Sequence, residues 1–288
     1  TIEMTPVLKG LRWYFCCEIW NPSINDIVRY ASFIQKEEKE RVGRFVFKND
    51  AKASLVGRLM IRKALNILTN IPCENLSLDR DDKGKPYLVN NFEKIVNFNV
   101  SHQGSFTVLA AQTDYQLGVD VMKVEYKGSK SLDSFFSTMK RQFHEKEWKC
   151  ILENHCDHDR IFRFMRHWCL KESYVKALGV GITVNLKNLC FILKSANLFV
   201  DRVITDTELY IDGVLQTDWI FEESMLDEHH CVCVAKRYIG CIEPDLQIEI
   251  NSVFHEISPA DLVLSAPLTA EDYSFASSFV QKAEKYPR

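Results

Sequence analysis

The run Trp168-Cys-Leu-Lys-Glu-Ser-Tyr-Val-Lys-Ala-Leu-Gly-Val-Gly181 sets Trp168, Glu172 and Lys176 four residues apart. Side chains at i and i+4 share one face of an α-helix, so an apolar plate, a carboxylate and an ammonium line the same side. Gly179 and Gly181 supply the cap and tight exit that end such a helix. Taken alone, Glu172 and Lys176 also fit an ordinary ion pair on a solvated face, worth ~0.2–0.5 kcal/mol.

A second run adds to the first. Gln116-Leu-Gly-Val-Asp-Val-Met122 reads as a β-strand holding an acid, Asp120, among apolar neighbours. A buried carboxylate is costly unless it is paired or bound to a metal. Two carboxylates and a lysine are the usual parts of a metal-assisted phosphoryl site. The carboxylates hold a hard cation, the cation neutralises phosphate oxygens, and one acid takes a proton.

With these residues in view, the chain resembles the 4'-phosphopantetheinyl transferases of the broad-specificity, surfactin-synthetase-activating type, and most of all their animal cytosolic members. The strand Gly-Val-Asp and the helix Trp-x-x-Lys-Glu-x-x-x-Lys-x-x-Gly are that family's paired signature. Glu38–Phe45 and Gly57–Arg62 resemble its early helices. Lys83-Gly84-Lys85-Pro86 and Phe98-Asn99-Val100-Ser101-His102 resemble its coenzyme-contacting loops. The likeness runs from about residue 10 to 240.

The resemblance implies an α+β fold of two similar lobes, with the active site in the cleft between them. The expected division is 1–115, 116–250 and an irregular acidic tail over 251–288. It also implies transfer of the 4'-phosphopantetheine arm of coenzyme A to a serine of a carrier domain, with release of 3',5'-ADP. Mg²⁺ would be the cofactor and coenzyme A the substrate. The carrier domains of fatty acid synthase and aminoadipate-semialdehyde dehydrogenase would be the partners. The same parts would serve a Mg²⁺-dependent phosphohydrolase, or a noncatalytic coenzyme A-binding module.

Residue by residue, Glu172 is expected to ligate Mg²⁺ and take the serine proton, and Lys176 to neutralise the transferring phosphate. Asp120 is the other metal ligand. Many relatives carry a Glu two residues later on the same strand face; here Met122 stands there, so water is expected to complete the shell. The turn Arg80-Asp81-Asp82-Lys83-Gly84-Lys85 brings three cations beside a glycine, as a phosphate cradle would. Asn99, Val100, Ser101 and His102, in a turn after a strand, join it, and so does Arg41. Arg44, Arg58 and Arg62 read as surface or structural charges. Arg160, Arg163 and Arg166 leave a basic helix face suited to an acidic partner, as do Lys140, Arg141 and Lys146.

Composition sets the outer bounds. A net charge of −3 over 288 residues favours neither a nucleic-acid nor a membrane-surface partner. Arg12 and Glu18 interrupt the only early apolar run, so no signal peptide is expected, and the chain starting at Thr1 is expected to have lost its initiator methionine. Ten scattered cysteines without a C-x-x-C pair read as reduced thiols in a cytosolic, monomeric protein. The clusters Glu153–Asp159 and His229–Ala235 lack zinc spacing and read as a loop and a strand. Periodicity places helices over 36–69, 131–140, 144–154 and 158–178. Strands are expected near 10–20, 76–79, 95–100, 105–112, 117–123, 188–194, 207–212 and 229–236.

Overall fold

The computed structural model describes residues 10–153, 156–240 and 252–284, a mixture of helix and sheet in two compact units. The first unit holds β1 (Gly10–Cys16), α1 (Ile24–Ser32), α2 (Lys36–Gly43), α3 (Lys48–Thr69), β2 (Leu78–Arg80), β3 (Pro86–Leu88), β4 (Val96–Gln103) and β5 (Phe106–Thr113). The second holds β6 (Tyr115–Lys123), α4 (Leu132–Met139), α5 (Glu145–Leu152), α6 (Asp157–Leu178), β7 (Leu189–Ile192), β8 (Glu208–Ile211), β9 (Val214–Leu215), β10 (Trp219–Asp227) and β11 (His230–Tyr238). The chain then returns to the first unit with β12 (His255–Glu256) and α7 (Tyr273–Val280).

In the first unit the sheet order is β12-β1-β5-β4, antiparallel except where β12 runs parallel to β1, with Trp13 opposite His255. The 22-residue α3 packs on β5 and β4 and buries Leu55, Val56, Leu59, Met60 and Leu65. The expected helix over 36–69 is therefore two helices. α2 ends at Gly43, and the Arg44–Phe47 link turns the chain before α3 begins. α1 starts at a capping box, in which Ser23 Oγ accepts from Asp26 N at 3.2 Å and Asp26 Oδ2 accepts from Ser23 N at 2.8 Å. The tail expected to be irregular carries β12 and α7, because Ala276 and Phe279 of α7 have apolar neighbours of this unit to bury against.

In the second unit the antiparallel order β10-β11-β6 carries the 22-residue α6 on its face. Gly118 of β6 faces that helix. A Cβ there would lie 2.2 Å from Ala177 N and 2.3 Å from Ser173 O. Only glycine admits so close an approach of strand to helix backbone. β10 escapes a periodicity reading because Glu222, Glu223 and Ser224 interrupt it, yet all three are buried. Glu223 pairs with buried Arg166, Nε to Oε2 at 2.7 Å, and Glu222 with Lys236. The expected basic face on α6 is accordingly corrected. Arg166 is a buried structural charge, Arg160 pairs with Asp133 and Asp157, and Arg163 pairs with Glu153. Lys140, Arg141 and Lys146 are exposed.

His230 begins β11, and its Nδ1 donates to Asp227 Oδ1 at 2.9 Å, so the strand reading of that cluster stands. The loop expected over Glu153–Asp159 is corrected at its end, where Asp157–Asp159 form the first turn of α6, while Asn154 and His155 lie outside the described residues. The described cysteines are all free thiols. Among the described residues, no helix is long and apolar enough to cross a membrane.

Candidate functional site

The expected residues fall into two constellations, one on each unit. On the second unit, every residue of α6 from Phe164 to Ala177 is buried except Trp168, Glu172 and Lys176. A helix packed on nearly all sides is left open along a single i, i+4, i+8 stripe, and that stripe is the one the sequence marked. Trp168 lies parallel to Phe164, with 6.4 Å between ring centroids, which fixes the plate at one end. Lys171, one residue before Glu172, is fully buried. Its ammonium meets Glu147 at 2.8 Å and donates to the carbonyls of Leu186 and Leu189 at 2.8 and 2.7 Å. It anchors the helix and does not reach the stripe.

Asp120 sits two residues beyond Gly118 on the same face of β6, so it projects toward α6 as well. Its carboxylate is buried, and Oδ1 lies 2.6 Å from Nζ of Lys176. The carboxylate expected on a cation and the ammonium expected on a phosphate thus hold each other. Burial raises the pKa of Glu172, and the negative charge of Asp120 raises it further, against the opposing pull of Lys176. Two carboxylates that close repel, and a hard divalent cation between them would relieve the repulsion with the oxygen donors it favours. Among the described residues no group of three or more His, Cys, Asp or Glu gathers around a metal position. Asp120 and Glu172 are the two carboxylates that interact here. Met122, on the same strand face, packs against the apolar cluster of this unit, where no ligand is available.

The first unit holds a cavity of about 600 Å³ lined by Arg41, Arg80, Asn99, Val100 and His102 from the expected set. Glu38, Arg58 and Arg62 also line it, and sequence reasoning assigned none of them to it. Arg62 is spent on structure, since its Nη2 donates to the carbonyls of Cys73 and Leu76. Glu38 binds Arg80 through both oxygens at 2.8 Å and meets Arg58 as well. Burial would raise the pKa of Glu38, but the hydrogen bond from Arg80 and the charges of Arg58 and Arg80 hold it below the usual carboxylate range.

The turn after β2 is a folded unit of its own. Asp81 Oδ1 accepts from the backbone N–H of Lys83 and Lys85 at 3.0 and 2.8 Å, and Gly84 takes φ +82°. Asp81, Asp82, Lys83, Gly84, Lys85 and Ser101 do not line the cavity; Asp81, Asp82 and Lys83 are exposed and Ser101 is buried. Burial lowers the pKa of Lys85, against the charge of Asp81. His102 was expected in a turn. It lies within β4, opposite Thr107, because β4 continues to Gln103 before reversing at Gly104. The cavity escaped the sequence because α2, α3 and β4 meet there only through packing. Glu38 and Arg41 at i, i+3 on one helix face are the one local signal.

Comparison with known proteins finds a family. Residues 18–114 match the family model described as 4'-phosphopantetheinyl transferase, N-terminal, and residues 116–235 match that of the 4'-phosphopantetheinyl transferase superfamily. The chain is 42% identical over 286 residues to the L-aminoadipate-semialdehyde dehydrogenase-phosphopantetheinyl transferase of Homo sapiens, across 96% of this chain and 93% of that one. It is 35% identical over 224 residues to the phosphopantetheinyl transferase of a Thraustochytrium species, across 76% and 75%. It is 28% identical over 203 residues to the 4'-phosphopantetheinyl transferase gsp of Aneurinibacillus migulanus, across 70% and 76%.

Proposed function

The chain belongs to the 4'-phosphopantetheinyl transferase superfamily and transfers the phosphopantetheine arm of coenzyme A to carrier proteins, and from that premise we propose how its residues divide the work. The stripe on α6 supports the reading most directly. Glu172, half-exposed with a raised pKa, takes the proton from the carrier serine as its oxygen attacks the phosphorus that bears the pantetheine arm. A new serine O–P bond forms, the pyrophosphate bridge breaks, and 3',5'-ADP leaves. Lys176 shifts part of its charge from Asp120 to the transferring phosphate. Asp120 and Glu172 are the residues that would hold Mg²⁺, which when bound neutralises pyrophosphate oxygens.

The cavity of the first unit, with Arg41, Arg58, Arg80 and His102, takes the phosphorylated end of the same coenzyme. Lys83 and Lys85 act from its margin. Two lobes, residues 1–115 and 116–250, would then each contribute residues to one reaction. The proposed acceptors are carrier domains of aminoadipate-semialdehyde dehydrogenase and fatty acid synthase, modified by a monomer in the cytosol.

One assay tests the reading. The chain is incubated with coenzyme A, Mg²⁺ and an apo-carrier domain, and the carrier is read by intact mass. Gain of the arm by the carrier supports transfer, with Mg²⁺ dependence read by chelation. Loss of coenzyme A without a carrier would show hydrolysis, and binding without turnover a noncatalytic module.

A further inference from the structure

Glu38 is an odd residue to find in a cavity lined by arginines, because its charge opposes an anionic ligand. Its contacts account for it. Its two oxygens accept from Nε and Nη2 of Arg80 at 2.8 Å each, a fork-to-fork pair. Oε2 also meets Nε of Arg58, from a different helix. Arg80 is held on its third side by Gly84 O, which accepts from Nη1 at 2.6 Å, and Arg58 by Ser54 Oγ, which accepts from Nη1 at 2.6 Å. One carboxylate therefore ties α2 to α3 and to the end of β2.

Resting on the reading of this cavity as the site for the coenzyme's phosphorylated end, we infer that Glu38 is a positioning residue that sets the site's preference for a phosphate monoester by locking Arg58 and Arg80 side by side. Without it, two like charges at the cavity wall repel, and each guanidinium regains the rotamer freedom that a bidentate partner removes. Glu38 remains ionised at neutral pH, since its arginines outweigh the effect of burial.

Charge and positioning predict opposite signs, which makes the inference testable. On charge alone, removing Glu38 makes the cavity more positive and tightens every anionic ligand. On positioning, it weakens the ligand that carries the 3'-phosphate and spares the one that lacks it. The experiment is calorimetric titration of the full chain with coenzyme A and with dephospho-coenzyme A, for wild type, Glu38→Ala and Glu38→Gln. We expect Glu38→Ala to cut the preference for coenzyme A at least ~10-fold, about the worth of one charge-assisted hydrogen bond. Glu38→Gln keeps one acceptor and should fall between, and it supplies the answer if the alanine variant does not fold. Equal or tighter binding of coenzyme A by either variant overturns the inference. So does equal weakening of both ligands, which marks a general structural loss. If the wild type itself binds both coenzymes alike, the reading of the cavity as a monoester site fails, and the inference fails with it.

Discussion

Replacing Gly118 with alanine tests whether the approach of β6 to α6 sets the geometry of the acid pair. The added Cβ would meet Ala177 N at 2.2 Å, Ser173 O at 2.3 Å and Lys176 C at 2.8 Å. All three are backbone atoms of a packed helix, so no rotamer change relieves the clash. Strand and helix must separate by ~1 Å to regain ordinary contact near 3.4 Å. Asp120 moves with Gly118, while Glu172 and Lys176 stay with the helix. A misplacement of ~1 Å costs on the order of 100-fold in rate where reacting groups must be aligned. Overpacking of this kind costs ~1–3 kcal/mol, and at roughly 2–4 °C per kcal/mol the melting temperature should fall by ~2–12 °C. Transfer to an apo-carrier domain is measured at 25 °C, below both transitions, alongside a thermal melt. Gly57→Ala is the control for the melt: its Cβ would meet Val100 Cγ1 at 3.0 Å, a side-chain atom that yields by a few tenths of an ångström, and Thr107 Cγ2 and Val100 Cβ only at 3.8 and 3.9 Å. A Gly118→Ala enzyme with the wild-type rate and melting temperature would refute the account of how Asp120 is placed.

Other variants probe the remaining links. Glu172→Gln should leave coenzyme A binding near wild type and lower transfer at least ~100-fold; near-normal transfer sinks the assigned role. Lys171→Met leaves the buried carboxyl of Glu147 without its cationic partner, and should cost ~3–5 kcal/mol in denaturant unfolding; a loss under ~1 kcal/mol shows that the pair is not buried in solution. His167 is fully buried, and burial pushes its pKa down to about 4. With the folded value depressed, the unfolded chain binds the extra proton between pH ~6.5 and 4, so this group makes stability fall as pH drops through that window, by up to ~3 kcal/mol. The difference in unfolding free energy between wild type and His167→Gln should therefore change between pH 7 and pH 5; a pH-independent difference contradicts the assignment.

The stripe on α6 was legible because helical periodicity alone joins Trp168, Glu172 and Lys176. Asp120 was legible because an acid in an apolar strand needs a reason. The Arg58–Glu38–Arg80 cross-link was not, since it joins three elements that no local spacing relates. β10 was hidden by Glu222 and Glu223, whose partners are Lys236 on the next strand and Arg166 on α6. His102 was set one turn too late because a glycine two residues on marked the reversal while the strand ran up to it. Arg166 looked solvated because a charged residue at a helical position gives no sign of a buried partner.

The first unit is assembled from segments that bracket the second in the chain, and that order bears on synthesis. β1 leaves the ribosome early, yet the edge that His255 and Glu256 cover has no partner until more than 200 further residues have been made. The α1 surface that α7 covers waits longer still. During translation the second unit, continuous in sequence, is free to close first, while the unit begun earlier keeps a strand edge and an apolar helix face open. A stall or a premature stop after residue 240 would therefore release a chain whose later half is the better folded one.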